Sequence, residues 1–252
     1  MQPSFHWINE PAEWHRDADG LTVVTDKHTD FWRHTWYGFE RFSGHLYAAE
    51  VEGDFTLQAK ICADFTTLYD QAGLMMMADE QTWLKAGIEF NDDAPAIGSV
   101  LTLTHSDWAT GLFPGDPRTF WLRLTRKGDA LRLQYSTDGE RWPLLRLGYF
   151  PPGPVKAGVM CCSPERGGLA VAFWGIPPFP PPGKTLHGLR LTVAGKTGFL
   201  FIPKAPVCGV AGAGRGKKAV LFGVRAPPGG PAGFPPAPRS FCGYGGPERA
   251  MG

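Results

Sequence analysis

Short runs in which apolar and polar residues alternate at every second position dominate the first 174 residues of the chain. Residues 55–61 alternate in this way, with apolar side chains at the odd positions, and residues 121–124 and 131–135 repeat the pattern. A period of two is typical of a β-strand with one buried face. No stretch long enough for a regular helix keeps a period of 3.6, so these residues predict a protein built from strands.

Turn residues separate about ten candidate strands, which is typical of a two-sheet sandwich. Asp19-Gly20 and Asp138-Gly139 each lie beside a candidate strand and are typical of hairpin turns. The remaining candidates are residues 21–25, 73–78, 83–90, 99–106, 155–162 and 169–174. We expect an all-β sandwich of two antiparallel sheets, although strand spacing alone does not exclude a closed barrel.

The composition of the chain changes abruptly after Trp174. Residues 1–174 hold all nine Trp and have 15 Lys and Arg against 23 Asp and Glu, a net charge of −8. Residues 175–252 have 10 Lys and Arg against one acid, Glu248, a net charge of +9, and are rich in Gly and Pro. We therefore expect a sandwich domain over residues 1–187. Residues 188–252 are expected to be a poorly ordered basic tail, or the product of a frameshift or read-through.

The sequence shows no export or membrane signal. The first ten residues lack the basic and apolar regions of a signal peptide, and no apolar run approaches the ~20 residues needed to cross a bilayer. Cysteines at 62, 161, 162, 208 and 242 match no disulfide or zinc pattern, so we expect reduced thiols in the cytoplasm. Residues 209–218 lack the first Gly and the hydroxyl of a phosphate-binding loop. We expect no metal, no cofactor, no membrane contact and no specific nucleic-acid partner.

Several motifs in order resemble the domain of unknown function 1349, also called the regulation-of-enolase-protein family, within the concanavalin A-like lectin/glucanase superfamily. The matching motifs are Thr29-Asp30-Phe31-Trp32-Arg33, Tyr37-Gly38-Phe39, Gly44-His45, Tyr69-Asp70-Gln71-Ala72-Gly73-Leu74-Met75, residues 83–90, Ser106-Asp107-Trp108, residues 138–142 and Cys162-Ser163-Pro164-Glu165-Arg166. The resemblance implies a jelly-roll sandwich of two curved sheets with no established enzymatic activity. Its name implies a metabolic, enolase-like enzyme as a regulated partner.

Residues 83–90 predict a strand with one functional face. Trp83, Lys85 and Glu89 lie on one face, while the apolar side chains of the alternate positions lie on the other. Lys85 and Glu89 are about 13 Å apart in a straight strand, too far to pair but suited to contact one ligand. Candidate ligand-binding residues are therefore Gln71, Trp83, Lys85, Glu89, Ser106, Asp107 and Trp108, with residues 99–106 taken as a neighbouring strand.

An aromatic ring beside a cation, a carboxylate and an amide is a combination that suits sugar recognition. The alternative is that Lys85 and Glu89 form a solvated sheet face and that Trp83 is a packing residue. The aromatic segment 31–37 carries large side chains on both faces, which predicts core packing or, alternatively, a cap over a ligand.

We expect a non-catalytic, lectin-like domain that binds a carbohydrate or a protein partner. One alternative is a regulatory protein that modulates a metabolic enzyme, and the other is a cryptic glycoside hydrolase. Glycosidases of the superfamily carry acids at alternate positions of one strand, a Glu-x-Asp-x-Glu arrangement that this sequence lacks. We therefore assign no catalytic residues.

Overall fold

The computed structural model describes residues 4–18, 20–175, 192–193 and 196–197, which form strands, turns and loops without a helix. The strands are β1 His6–Ile8, β2 Glu13–Arg16, β3 Gly20–Val24, β4 Phe31–Arg33, β5 Glu40–Phe42, β6 His45–Val51, β7 Phe55–Ala63, β8 Gln71–Asp79, β9 Thr82–Asn91, β10 Ala94–Leu103, β11 His105–Leu112, β12 Thr119–Lys127, β13 Ala130–Ser136, β14 Leu144–Tyr149, β15 Val155–Cys162, β16 Ala170–Trp174, β17 Thr192–Val193 and β18 Lys196–Thr197. Apart from β17 and β18, which pair with each other, the predicted tail lies outside the described residues.

Two seven-stranded antiparallel sheets form the domain. The first has the order β1-β6-β15-β8-β9-β10-β11, and the second has the order β14-β13-β12-β7-β16-β3-β2. Strand β16 lies between β7 and β3, so the last strand predicted before the change in composition is an interior strand of the second sheet. The predicted all-β sandwich of two antiparallel sheets is confirmed.

The main core fills the space between the sheets. The alternate positions 84, 86 and 88 of β9 face inward, as predicted, and pack with inward residues of β7 and β12 such as Leu57 and Leu122. All of these side chains are almost fully shielded from solvent. Each buried Leu or Ile side chain contributes about 1.5–3 kcal/mol through removal of apolar surface from water. The inward face of β9 therefore stabilises the core of the fold.

A second apolar cluster lies on the outer face of the first sheet. The hairpin of β4 and β5 covers that face, and its Phe31 and Trp32 pack with Met75, Trp83 and Val100 of the sheet. The segment predicted as either a core element or a cap is thus packed onto the sheet at its start. Its tip is open, because Trp36 at the turn is 93 % exposed.

The prediction of one strand over residues 99–106 is wrong in its last three residues. Strand β10 ends at Leu103, Thr104 turns the chain with φ of 70°, and β11 runs back from His105. Thr102 consequently lies opposite Ser106 in the neighbouring strand instead of two steps along the same one. A non-glycine residue at positive φ is uncommon, so the alternation pattern gave no sign of this turn.

Three glycines in register make a smooth strip across the outer face of the first sheet. Gly73 of β8 pairs with Gly87 of β9, which pairs with Gly98 of β10. A Cβ added at Gly87 would lie 1.9 Å from the carbonyl oxygen of Ala72, so a side chain does not fit there. The strip separates the row that contains Lys85 from the row that contains Glu89.

Candidate functional site

A cleft of about 520 Å³ lies between the outer face of the first sheet and the loops that cover it. Strand β9 supplies Lys85 and Glu89, and β10 and β11 supply Val100 and Trp108. The remaining lining residues come from the β4–β5 hairpin and from loops: His28, Asp30, Trp32, Tyr37, Phe39, Arg41, Tyr69, Pro164 and Glu165. The volume lies within the range of about 300–1,000 Å³ that is usual for small-molecule sites.

A buried ion pair lies in the wall of the cleft. The Nζ atom of Lys85 is 2.9 Å from Oδ1 of Asp30, and the two side chains are only 4 % and 19 % exposed. The same oxygen accepts hydrogen bonds from the amide of Phe31 and from Nε2 of Gln71. No described residue donates to Oδ2 of Asp30, so this oxygen remains available to a ligand hydroxyl.

Electrostatics keep Lys85 charged within this wall. Burial alone would lower its pKa, but the neighbouring carboxyl groups of Asp30 and Glu89 outweigh that effect and raise the pKa above its ordinary value. An ammonium group has three donors, and Asp30 takes one of them. Lys85 can therefore donate further hydrogen bonds into the cleft.

Glu89 faces the same cleft, and unlike Lys85 it is only partly ionised near neutral pH. Burial raises the pKa of Glu89 to about 7, with Lys85 opposing the shift and Asp30 adding to it. Near neutral pH this carboxyl group exists in both forms, so it can donate or accept a hydrogen bond. The cleft is therefore lined by a hydrogen-bond acceptor, Asp30, by a donor, Lys85, and by Glu89, which can act as either.

Aromatic rings form the opposite side of the cleft. The rings of Trp32 and Trp108 meet edge to face with centroids 6.3 Å apart, and Tyr37 packs against Trp32 in the same manner at 5.5 Å. The hydroxyl oxygens of Tyr37 and Tyr69 are 3.3 Å apart. That hydrogen bond, followed by burial, raises the pKa of Tyr69 to about 12. Tyr69 is therefore a neutral donor and acceptor at physiological pH.

Arg33 anchors the β4–β5 hairpin to the sheet. Arg33 pairs with Glu40 across the hairpin at 2.8 Å, and its Nε donates to the carbonyl of Thr104. The amide of Arg33 donates to Oγ of Ser106, which also hydrogen-bonds Thr102 at 2.9 Å. These bonds hold the aromatic wall over the sheet.

A second buried ion pair supports the loop that carries Tyr69. Asp70 is fully buried, and both of its oxygens accept hydrogen bonds from the guanidinium of Arg166. Oγ of Ser163 and the amides of Thr66 and Thr67 also donate to this carboxylate. The network joins the loop before β8 to the loop after β15, so it fixes two sides of the cleft.

The structure separates the seven predicted site residues into two groups. Lys85, Glu89 and Trp108 line the cleft, and Gln71 lies beside them in a small depression of about 10 Å³ over the glycine strip. Gln71 also positions Asp30 through a hydrogen bond of 3.4 Å. Lys85, Glu89 and Trp108 thus share one cleft with the aromatic wall.

The other three predicted residues have different roles. Trp83 is 0 % exposed beneath the hairpin, where it packs with Phe31 and donates from Nε1 to the carbonyl of Glu80. Ser106 is buried and anchors the hairpin. Asp107 lies on the opposite side of β11 from Trp108, because successive strand residues alternate, and it pairs with Arg146 at 3.4 Å.

The sequence alone did not bring Asp30, Tyr69 and the hairpin aromatics to Lys85. Asp30 lies 55 positions before Lys85, and only the fold of the hairpin over the sheet joins them. The available signal was the set of motifs around residues 29–39 and 69–71, which contained these residues without indicating where they meet. Among the described residues there is no cluster of three His, Cys, Asp or Glu that would hold a metal, and no helix suited to span a membrane.

The fold and the cleft together define a jelly-roll β-sandwich with a polar and aromatic cleft on one outer sheet face. The chain belongs to the family described as protein of unknown function DUF1349, whose model matches residues 7–177. The family assignment predicted from the motifs is confirmed.

Two sequences and two solved structures are similar to this chain. "Regulation of enolase protein 1" of Saccharomyces cerevisiae is 46 % identical over 186 residues, covering 73 % of this chain and 93 % of that protein. An uncharacterized protein of Emericella nidulans is 27 % identical over 166 residues, which is 61 % of this chain and 82 % of that protein.

A crystal structure of a functionally unknown S. cerevisiae protein, 46 % identical, has a TM-score of 0.67 and covers 68 % of this chain and 92 % of that chain. The GH43 protein BlXynB of Bacillus licheniformis has a TM-score of 0.51 at 12 % identity. The match to BlXynB covers 67 % of this chain and 35 % of that chain. At this identity the likeness concerns the fold alone.

Proposed function

We propose that the domain is a non-catalytic, lectin-like module that binds a carbohydrate in the cleft of the first sheet. The observation that carries this proposal is the pairing of an aromatic wall with the Asp30–Lys85–Glu89 group in a single cleft. An aromatic ring packs against the C–H face of a sugar ring, while charged groups hydrogen-bond its hydroxyls. The cleft volume of about 520 Å³ favours a single sugar or a short oligosaccharide over a long polymer.

The donor and acceptor pattern supports a ligand rich in hydroxyl groups. Asp30 offers an acceptor, Lys85 offers donors, and Glu89 offers either, depending on its protonation. A hydroxyl group is both a donor and an acceptor, so it can satisfy neighbouring groups of both kinds. A purely apolar ligand would exclude solvent from Glu89, from Oδ2 of Asp30 and from the remaining donors of Lys85 without pairing them, which costs about 1–3 kcal/mol for each buried group.

Binding to a glycan array, followed by calorimetric titration of the best ligand, tests the proposal. Glu89→Gln and Trp108→Ala are expected to weaken binding by about tenfold each, since a lost hydrogen bond or ring contact is worth about 1–1.5 kcal/mol. The matched controls are Glu140→Gln in an exposed turn and Trp121→Ala on the second sheet. Equal glycan binding by Trp108→Ala and Trp121→Ala would show that the cleft is not the carbohydrate-binding site.

The absence of catalysis is a separate part of the proposal. Asp30 and Glu89 both line the cleft, but Asp30 is held by Lys85, Gln71 and the amide of Phe31. A glycosidase needs a carboxylate that donates an electron pair to the sugar or to water, and the ion pair with Lys85 makes Asp30 a poorer donor even though its Oδ2 is open. We therefore expect no hydrolysis of laminarin and related glucans. Release of reducing sugar that Asp30→Asn abolishes would favour the glycoside hydrolase alternative.

A second candidate function is regulation of a metabolic enzyme. It is favoured by the 46 % identity to a protein that is named for regulation of enolase and is covered over 93 % of its length. The test is a pull-down with purified enolase, in which a stoichiometric complex favours this function and retention on a glycan column favours the lectin function. Either function suits the cytoplasm that we expect from reduced cysteines, among them the buried Cys161 and Cys162.

A further inference from the structure

Across five of its seven strands, the second sheet carries cations and no acids on its outer face. The five neighbouring strands β14, β13, β12, β7 and β16 contain no Asp or Glu, although residues 1–174 have a net charge of −8. Alternation turns four cations outward from these strands, opposite to the buried leucines. We call this surface the basic face, and its cations are Lys60, Arg123, Lys127 and Arg132.

Tryptophan rings are interleaved with these cations. Nζ of Lys60 lies 5.3 Å from the ring centroid of Trp121 and 5.4 Å from that of Trp174. The guanidinium of Arg123 lies 3.7 Å above the ring of Trp142. Rings in cation–π contact hold long cationic side chains in fixed positions, which lowers the entropy lost when those side chains bind a partner.

The cations of the basic face have no acidic partner within the part of the chain that the structure describes. None of the four forms an ion pair with a described residue, and the lower pKa of Arg123 reflects its burial and then repulsion by Arg132. Acids lie in turns at the margin of the face, among them Asp54 and Asp138, which accept hydrogen bonds from backbone amides. An external anion would relieve the repulsion.

Exposed apolar side chains continue the basic face along β14. Leu144, Leu147 and Tyr149 are each more than half exposed. Leu147 lies opposite Arg132 in the pairing of β13 with β14, so apolar and cationic groups share one side of the sheet. Arg, Trp and Tyr beside aliphatic side chains are the composition of protein–protein interfaces.

We propose that the basic face docks an acidic segment of another protein. Its net positive charge and the absence of acidic residues from its five strands favour an anionic partner, and the exposed leucines beside the cations favour a partner with apolar side chains. Single-stranded nucleic acid fits less well, because Lys60 and Arg123 already cover faces of the rings on which bases would stack. The apolar residues of β14 would also gain nothing from a chain of phosphates.

The size of the basic face sets the expected affinity. Five strands about 4.8 Å apart and about six residues long give a face of roughly 400 Å² in projection. This is smaller than the ~800 Å² that each partner buries in a standard interface. We therefore expect a transient complex with a dissociation constant in the micromolar range that weakens as salt screens the charges.

Fluorescence anisotropy with the full chain tests the proposal. The probe is a labelled peptide of about 20 residues that alternates Glu with Leu and Phe, compared with the same peptide carrying Gln for Glu and with an oligothymidylate of equal length. The expected result is saturable micromolar binding of the acidic peptide alone. No saturable binding, equal binding of the Gln peptide or tighter binding of the oligothymidylate would overturn the proposal.

Charge reversal locates the binding surface. Arg132→Glu is expected to weaken peptide binding by about fivefold or more, because it replaces an attraction by a repulsion. Arg132 is exposed and the control Lys156→Glu changes an exposed lysine on β15 of the first sheet, so both variants should fold, as urea midpoints will verify. Lys127→Glu, also exposed on the basic face, is the second variant. Equal effects of Arg132→Glu and Lys156→Glu would refute the assignment.

Discussion

Replacing Glu89 by Gln should change how the stability of the domain depends on pH. Gln keeps the shape of the side chain and cannot ionise. In the native protein burial raises the pKa of Glu89 from 4.5 to about 7. The folded state therefore binds more protons than the unfolded state between these two values.

The sign and the size of the effect follow from this difference in protons bound. A group with a raised pKa contributes stability that is fully present below its unfolded pKa and is lost as pH rises through the folded pKa. At about 1.4 kcal/mol for each pKa unit, ionising Glu89 should cost the folded state about 3 kcal/mol between pH 4.5 and pH 8. Glu89→Gln should lack this loss, so it should gain stability relative to the native protein as pH rises.

Urea unfolding at pH 4.5, 6, 7 and 8 measures the effect. All other titrating groups are common to the two proteins, so the difference between their free energies of unfolding isolates Glu89. Glu140→Gln, which removes an exposed carboxylate, is the matched control and should run parallel to the native protein. Parallel curves for Glu89→Gln would refute the account of a carboxyl group buried in the cleft.

Three further outcomes follow from the packing. Asp70→Asn should destabilise the domain by about 3 kcal/mol in urea unfolding, because it leaves the guanidinium of Arg166 without its counter-charge. The control Asp116→Asn breaks an exposed pair with Arg118 and should leave the urea midpoint almost unchanged. Gly87→Ala should prevent normal folding or lower the melting temperature sharply, since its Cβ would overlap the backbone of β8. Gly53→Ser, in a turn with no atom near the added Cβ, is a milder control. Similar decreases in melting temperature for both variants would contradict the steric overlap at position 87. Cys161 and Cys162 should resist thiol reagents in the native state, because burial raises the pKa of both thiols; peptide mapping that finds them labelled before unfolding would contradict their burial.

Alternation predicted the faces of individual strands well. The assignment of residues 83–90 placed Lys85 and Glu89 on one face and residues 84, 86 and 88 in the core, and the structure has the same arrangement. This succeeded because a strand turns successive side chains to opposite sides whatever lies beyond it. Local periodicity was therefore sufficient to predict the sandwich and one side of the candidate cleft.

The position of covering elements could not be predicted in this way. Trp83 shares a face with Lys85, but Phe31 and the hairpin cover it, and no local pattern records a contact across 52 positions. The turn at Thr104 was missed because a non-glycine residue adopts positive φ there, and that turn moved Ser106 to a new strand. The sequence indicates Asp30 only as part of the motif of residues 29–33, because its partner Lys85 is distant in sequence. Contacts made by tertiary packing decided each of these positions.

The indole N–H signals of the tryptophans offer the most direct test of carbohydrate binding in the cleft. Titration of the ¹⁵N-labelled protein with the best glycan from the array should shift the signals of Trp32 and Trp108, which line the cleft, in a saturable manner. The signals of Trp121 and Trp142, on the second sheet and its β13–β14 turn, should stay in place. If saturating glycan leaves Trp32 and Trp108 unmoved, or shifts only Trp121 and Trp142, the cleft is not the carbohydrate site.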